Sequence, residues 1–332
     1  MRETNKLPHW RGFNLLDFFT MHSVGDVQED DYRWMADWGF DFVRLPMCYT
    51  LWIDGNDPRR FYEPMLKKVD RAVELGLRYG MHTCLNFHRA PGYSVNRERN
   101  EPYNLWKDNQ ALDDFCLHWT TFARRYAGIP ADKLSFNLVN EPAAPDTVVM
   151  TREDHSRVMR TAVAAIRSID PQRMIILDGL SWANWPMPEL TDLGVSQSCR
   201  AYLPMGISHY GASWVKGETY PFPQWPGGWN NDGQAWNRST LEAHYARWTD
   251  LVAQGTGVHC GEGGAFIHTP HDIVLHWLSD VLDILTMHNI GYALWNLRGA
   301  FGILDSQRPD VSYEDWHGHK LDRDLLNLLQ AH

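Results

Sequence analysis

Short apolar runs alternate with longer segments whose apolar positions recur every three or four residues, and the alternation continues along the whole chain. Runs of this length read as buried strands, and the periodic segments read as amphipathic helices. The strands fall at 10–16, 40–45, 80–87, 134–139, 174–177, within 201–209, at 257–260 and at 291–295. The helices fall at 28–38, 61–79, 109–126, 154–168, 188–196, within 240–254, within 272–288 and at 319–329. In 61–79, Leu66, Val69, Val73 and Leu77 share one face. Parallel strands need crossover helices, and eight such units close a sheet on itself. The pattern therefore predicts a single (β/α)8 TIM barrel spanning 1–332. An open doubly wound sheet is the competing fold, but no Gly-x-Gly-x-x-Gly turn or phosphate loop opens any helix.

A barrel builds its site where the strands end at their carboxyl side. The residues there are Asn14 on strand one, Arg44 after strand two, His88 after strand three, Asn140 and Glu141 after strand four, His209 and Tyr210 after strand six, Glu262 after strand seven and Trp295 after strand eight. Glu141 in Asn140-Glu141-Pro142 and Glu262 in Gly261-Glu262-Gly263 both follow short apolar strands. Paired carboxylic acids suit glycosidic bond cleavage by double displacement, one protonating the leaving oxygen and the other attacking the sugar. The two jobs need unequal acids: one carboxyl with a pKa raised by burial and like charge, the other held by hydrogen-bond donors, for which Arg44 is a candidate.

Composition narrows the partners. A formal charge of -10 without a Lys/Arg run disfavours nucleic acid and anionic membrane, and is compatible with a neutral oligosaccharide or polysaccharide as partner. The chain carries 16 tryptophans, whose rings can stack on sugar faces as well as fill a core. Trp225 and Trp229 lie in a long Gly/Pro/Trp loop, 214–236, that reads as a wall of a cleft. The charged loop 93–106 reads either as solvated surface or as a block at one end of a groove. Five widely spaced cysteines in apolar stretches read as buried free thiols, consistent with a reducing compartment. The first residues have no apolar signal core and no segment has the length of a bilayer span, so the sequence as it stands predicts a cytoplasmic protein, or a secreted one if a signal peptide has been trimmed. With no heptad seam, a monomer is expected.

Taken in order, Gly12-Phe13-Asn14, Val43-Arg44-Leu45-Pro46, the stretch from Asn86 through His88 to Tyr93, Asn137-Leu138-Val139-Asn140-Glu141-Pro142, Gly261-Glu262 and Ala293-Leu294-Trp295-Asn296 with Phe301-Gly302-Ile303-Leu304-Asp305-Ser306 resemble glycoside hydrolase family 5, the cellulase-like retaining glycosidases. The resemblance covers almost the whole chain. It implies that Glu141 is the general acid/base and Glu262 the nucleophile, with no metal and no cofactor. It further implies that Asn140 reaches the sugar 2-hydroxyl, that His88 and His209 position hydroxyls or orient Glu141, and that Trp295 forms the floor beneath the cleaved sugar. The family has His-x-Tyr after strand six, its tyrosine reaching the nucleophile. Here His209-Tyr210 are adjacent, so Tyr210 reaches the site only through a bulge or an ended strand.

Two other classes share some of these features. A metal-dependent barrel hydrolase would use histidine clusters, and the chain has two close pairs, His268 with His271 and His317 with His319. A non-catalytic sugar-binding barrel would keep the fold without the chemistry. Among substrates, a β-1,4-linked glucan or its oligosaccharides is expected, with a β-mannan or manno-oligosaccharides as the alternative, since the difference lies in the 2-hydroxyl and in loop geometry.

Overall fold

A computed structural model describes residues 7–95, 101–146, 148–215 and 219–332. Its centre is a parallel sheet closed on itself, made of β1 (Arg11–Asn14), β2 (Phe42–Cys48), β3 (His82–Ala90), β4 (Leu134–Asn137), β5 (Met174–Asp178), β6 (Ser196–Ala201), β7 (Val258–Gly263) and β8 (Gly291–Leu294). Each strand pairs in parallel with the next, and β8 returns to β1 with Arg11 opposite Tyr292. Around it lie α1 (Glu29–Asp37), α2 (Glu63–Arg78), α3 (Asn109–Arg125), α4 (Arg152–Arg167), α5 (Arg238–Ala253), α6 (His271–Met287) and α7 (Arg323–Ala331). The fold is a (β/α)8 barrel.

Two apolar layers hold it. Outside the sheet, side chains of the strands meet the apolar stripes of the helices, as where Phe87 stacks on Trp119 with ring centroids 3.8 Å apart. Burying such a ring contributes roughly 1.5–3 kcal/mol. Leu66, Val69 and Val73 face this layer, whereas Leu77, the penultimate residue of α2, is exposed because Gly76, packed against Thr83, takes the next place on the buried stripe. Inside the barrel, Leu7, Trp10, Phe42, Cys84, Ile176 and Ala293 plug the amino end of the strands. Above this plug the inward side chains turn polar: Asn14, Arg44, Asn86, Asn137, Asp178, Ser198, Arg200 and Glu262 are all buried. The apolar plug thus gives way to a hydrogen-bonded layer that supports the mouth.

Three sequence expectations shift. Strand six, expected within 201–209, is Ser196–Ala201, followed by a short helical turn at Met205–Ser208. Its residues do not form an apolar run because Ser196, Ser198 and Arg200 are polar, yet these are the side chains that face the polar layer of the barrel. The fifth helix, expected at 188–196, is a 3-10 segment, Pro188–Leu193, ended by Gly194 at φ 61°. The last helix begins at Arg323 with Asp322 capping Leu325 N–H at 3.0 Å, and His319–Leu321 instead pairs with Glu314–Trp316 as a hairpin. No helix among the described residues is long and apolar enough to cross a membrane. The five cysteines are free, and all but Cys116 are fully buried. Of the charged loop, 96–100 lie outside the described residues, while Glu101 accepts from Tyr49 Oη at 2.7 Å and from Gly92 N–H at 3.2 Å.

Candidate active site

Local backbone features aim the two glutamates inward. On β7 the register against β6 shifts between Cys260 and Glu262, so Gly261 is an extra residue in a bulge. Strand alternation alone would put Cys260 and Glu262 on one side. The bulge lets Cys260 face outward beside Cys199 while Glu262 enters the mouth. Only glycine fits at the bulge, since a Cβ there would lie 2.6 Å from Ser198 Oγ and 3.1 Å from Arg200 Nη1. Glu141 stands just beyond β4 in the left-handed region at φ 48°, a conformation costing a non-glycine residue about 1 kcal/mol or more. Its backbone is clamped on both sides: its N–H donates to Asp178 Oδ2 at 3.0 Å, and its carbonyl accepts from Tyr93 Oη at 2.7 Å.

Two buried guanidiniums organise the layer below. Arg44 donates through Nη1 to Glu262 Oε1 at 2.6 Å and to Asn14 Oδ1 at 2.9 Å, and through Nη2 to Asn140 Oδ1 at 2.8 Å and Asn137 Oδ1 at 2.9 Å. Asn14 in turn donates to the carbonyls of Gly261 and Leu294, each at 3.0 Å. Arg200 reaches both glutamates: Nε donates to Glu141 Oε1 at 2.9 Å, and Nη2 donates to Glu262 Oε1 at 3.3 Å, to Asn140 Oδ1 at 3.0 Å and to Asp178 Oδ2. Tyr202 Oη completes the set on Glu262, donating to Oε2 at 3.2 Å.

The charges do not balance if every acid is ionised. Three carboxyl groups, Glu141, Glu262 and Asp178, face two guanidiniums, and His88 is no cation because burial and the adjacent arginines push its pKa well below the usual imidazole value. Glu141 takes up the imbalance: burial first, and then the like charge of Glu262, raise its pKa to about 7 against the opposing pull of Arg200. Burial alone would raise Asp178 too, but Arg200 and Arg44 outweigh it and hold that carboxyl below the usual range. Tyr202 keeps its proton, since burial and then the charge of Glu262 lift its pKa well above the usual phenol value. The arrangement makes the two glutamates unequal: Glu141 has a raised pKa, and Glu262 is ringed by donors.

The remaining predicted residues divide. His88 lies beside Asn140, with Nε2 3.5 Å from Nδ2, and its ring approaches Trp295 at 5.5 Å. Trp295 is half-buried, its N–H bonded to Gly263 O at 2.8 Å and its ring edge-on to Phe19 at 5.3 Å. His209 packs edge-on against Tyr202 at 5.2 Å and accepts or donates to Ser208 Oγ at 2.7 Å, while burial lowers its pKa to about 4. Tyr210 does not meet Glu262; it packs against exposed Phe222 at 6.1 Å, because the strand ends at Ala201, well before the expected end at His209. Trp225 points away from the mouth, donating to Asp280 Oδ2 on α6 at 2.9 Å. Trp229 is 41 % exposed in a small hairpin over Gly206 and touches neither glutamate.

Sequence reasoning missed Asn137, Asp178, Arg200 and Tyr202. The strand-end rule would have found Asp178, which ends Met174–Asp178. Arg200-Ala201-Tyr202 carries the x-Tyr spacing, with arginine where histidine was sought. Trp182 was also missed. It lies in a left-handed turn, Ser181, Trp182 and Ala183 having φ 55°, 57° and 59°, and its N–H bonds Pro142 O at 3.0 Å, directly beside Glu141. Its side chain is 48 % exposed. His271 lies 2.9 Å from Asp322, and His319 lies 2.8 Å from Asp305.

A parallel barrel with paired glutamates beyond β4 and on β7, one of raised pKa and one ringed by donors, has the form of a glycosidase. The chain belongs to glycosyl hydrolase family 5: the family model for cellulases, "Cellulase (glycosyl hydrolase family 5)", matches residues 2–300. Among curated proteins it is 27% identical to Cellodextrinase A of Ruminococcus flavefaciens over 282 residues, covering 80% of this chain and 76% of that one. It is also 27% identical to Endoglucanase C of Acetivibrio thermocellus over 315 residues, covering 87% and 89%. A solved glycoside hydrolase superposes with a TM-score of 0.93 at 39% identity, covering 97% of this chain and 99% of that one. Endoglucanase Cel5A of Thermotoga maritima shares the fold, with a TM-score of 0.77 at 22% identity and 96% coverage of each chain. The protein is thus a glycoside hydrolase acting on carbohydrate.

Proposed function

We propose that the protein hydrolyses β-1,4-linked glucan or its oligosaccharides with retention, through a covalent glycosyl-enzyme. Glu262 attacks the anomeric carbon as nucleophile while Glu141 gives its proton to the leaving oxygen. Glu141 then takes a proton from the water that releases the sugar. The observation that carries this reading is the asymmetry of the pair: Glu262 accepts from Arg44, Arg200 and Tyr202, whereas Glu141 is raised to about 7 and is available as an acid. Neighbouring nitrogens of one planar guanidinium reach both carboxylates. That closeness suits a retaining pair better than the gap of roughly 6.5–9.5 Å that admits an inverting water.

The other residues fit roles around one sugar. Asn140 Oδ1 is taken up by Arg44 and Arg200, which turns its Nδ2 outward as a donor for the 2-hydroxyl. Neutral His88 has an Nδ1 with no partner among the described residues and serves a sugar hydroxyl, with Trp295 as the floor. Trp182, exposed next to Pro142, offers a ring to the departing sugar.

Matched cello- and manno-oligosaccharide ladders, incubated with the wild-type protein and with Glu262→Gln, test the proposal by product chromatography. Cleavage of the cello ladder by wild type alone supports it. Preference for the manno ladder replaces glucan by mannan with the same machinery, and no cleavage of either rejects both substrates.

A further inference from the structure

Arg200 holds an unusual position even among buried arginines. Its side chain is 2 % exposed, and it contacts both glutamates as well as Asp178, while Nη1 donates to Ser198 Oγ and Cys199 O, each at 3.1 Å. Arg44 touches Glu262 but has no hydrogen bond to Glu141. The charged and titratable groups around Arg200 are Glu141 beyond β4, Asp178 on β5, Glu262 on β7, Tyr202 beyond β6 and, on β2, Arg44, whose Nη2 is 3.8 Å from Asp178. Tyr93 binds the Glu141 carbonyl, and His88 on β3 is neutral. Glu262 therefore has two guanidiniums, and Glu141 has one, shared.

That sharing has a consequence in a two-step reaction, and it rests on the roles given above to Glu141 and Glu262. In the first step a Glu262 oxygen bonds to the anomeric carbon, the bond to the leaving oxygen breaks, and the Glu141 proton passes to that oxygen. Glu262 is then an uncharged ester and Glu141 a carboxylate. In the second step Glu141 takes a proton from water, the water oxygen bonds to the anomeric carbon, and Glu262 leaves as a carboxylate. The negative charge thus moves from Glu262 to Glu141 and back, and Arg200 contacts both ends of that movement. We propose that Arg200 is a positioning residue that transfers its charge compensation from Glu262 to Glu141 between the two steps, so that Glu141 works as a base in the release step. A histidine at this position would do so only while protonated, whereas a guanidinium is charged at every working pH.

The test uses 2,4-dinitrophenyl β-cellobioside, whose leaving group needs little protonation, with stopped-flow detection of dinitrophenolate. Replacing Arg200 by Gln should slow release more than attack, giving a burst of about one dinitrophenolate per enzyme before a slow steady rate. The slowing should approach tenfold at pH values below the new pKa for each unit by which Glu141 rises. Added azide, a nucleophile that needs no base, should restore turnover, and the acid limb of the steady rate should move to higher pH. Arg200→Lys should recover part of the release rate. Should Arg200→Gln not fold, Arg200→His carries the same test, with a burst above neutral pH that shrinks below it.

Equal loss of both steps, with no burst, no azide rescue and an unmoved acid limb, would make Arg200 a structural pin and overturn the proposal. Failure of the underlying roles looks different: wild type would leave the cellobioside intact, or Glu262→Gln would still turn it over.

Discussion

Asp178→Asn separates the electrostatics of the site from its shape. The carboxyl accepts from Asn137 Nδ2 at 2.9 Å on one oxygen, and from Glu141 N–H at 3.0 Å and Arg200 Nη2 on the other. All its partners are donors, so an amide of the same size must turn its NH2 toward one of them and lose that bond. The change also leaves two buried guanidiniums facing fewer charges. Breaking a buried pair from one side costs about 3–5 kcal/mol. For a chain of this length roughly 2 °C of melting temperature is lost per kcal/mol, so thermal unfolding should fall by about 6–10 °C.

The kinetic consequence has a definite sign. Asp178 raises the Glu141 pKa by like charge, and its removal also leaves Arg200 freer to favour the Glu141 carboxylate. Both effects lower the pKa from about 7, so the alkaline limb of kcat/KM should move to lower pH. Scanning calorimetry and a pH profile on an oligosaccharide whose leaving group needs the acid read the two effects separately. An alkaline limb that stays in place while stability falls would refute the claim that Asp178 tunes Glu141. A stability loss below about 1 kcal/mol would refute the claim that the polar layer is tightly coupled.

Other substitutions test single contacts. Gly261→Ala puts a Cβ against Ser198 and Arg200 in the bulge; about 1–3 kcal/mol of stability should be lost by overpacking, with kcat falling well before the fold does, as a melting curve and a rate assay would show. Tyr202→Phe removes one donor from Glu262 and should lower kcat by the equivalent of about 1.5–3 kcal/mol, leaving the fold unchanged by circular dichroism. Trp182→Ala should raise KM several-fold for oligosaccharides that place a sugar on the leaving side and leave a small aryl glycoside nearly unaffected; an equal effect on both would remove the stacking role. Glu141→Gln should cost about 10²–10⁴ in kcat on oligosaccharides, and much less in the first step on a dinitrophenyl glycoside, measured as the burst rate.

The barrel was legible because its strands and helices differ in period and the units repeat without a break. Glu141, Glu262, Arg44, Asn140 and His88 were legible as polar residues at the ends of apolar strands, and the structure gathers them. Strand β6 was not, because the side chains it sends into the barrel are polar and its apolar continuation is a turn. The error moved the mouth of β6 from Arg200 to His209, and that one displacement hid both Arg200 and Tyr202 and put Tyr210 in their place. Asn137 was missed for a related reason, since an amide inside an apolar run reads as solvated unless partners on other strands are known, whereas Asp178, the last residue of β5, was within reach of the strand-end rule. Loop tryptophans carry no such signal. Trp225 braces α6 and Trp229 sits in a hairpin, while Trp182, from a loop that attracted no notice, stands beside Glu141.

Retention through Glu141 and Glu262 is the central claim, and the first anomer released tests it most directly. Proton magnetic resonance during the opening minutes of cello-oligosaccharide cleavage should show the β-anomer appearing first and the α-anomer only later by mutarotation. An α-anomer formed first would mean inversion, and the pairing of Glu262 as nucleophile with Glu141 as acid/base would be wrong.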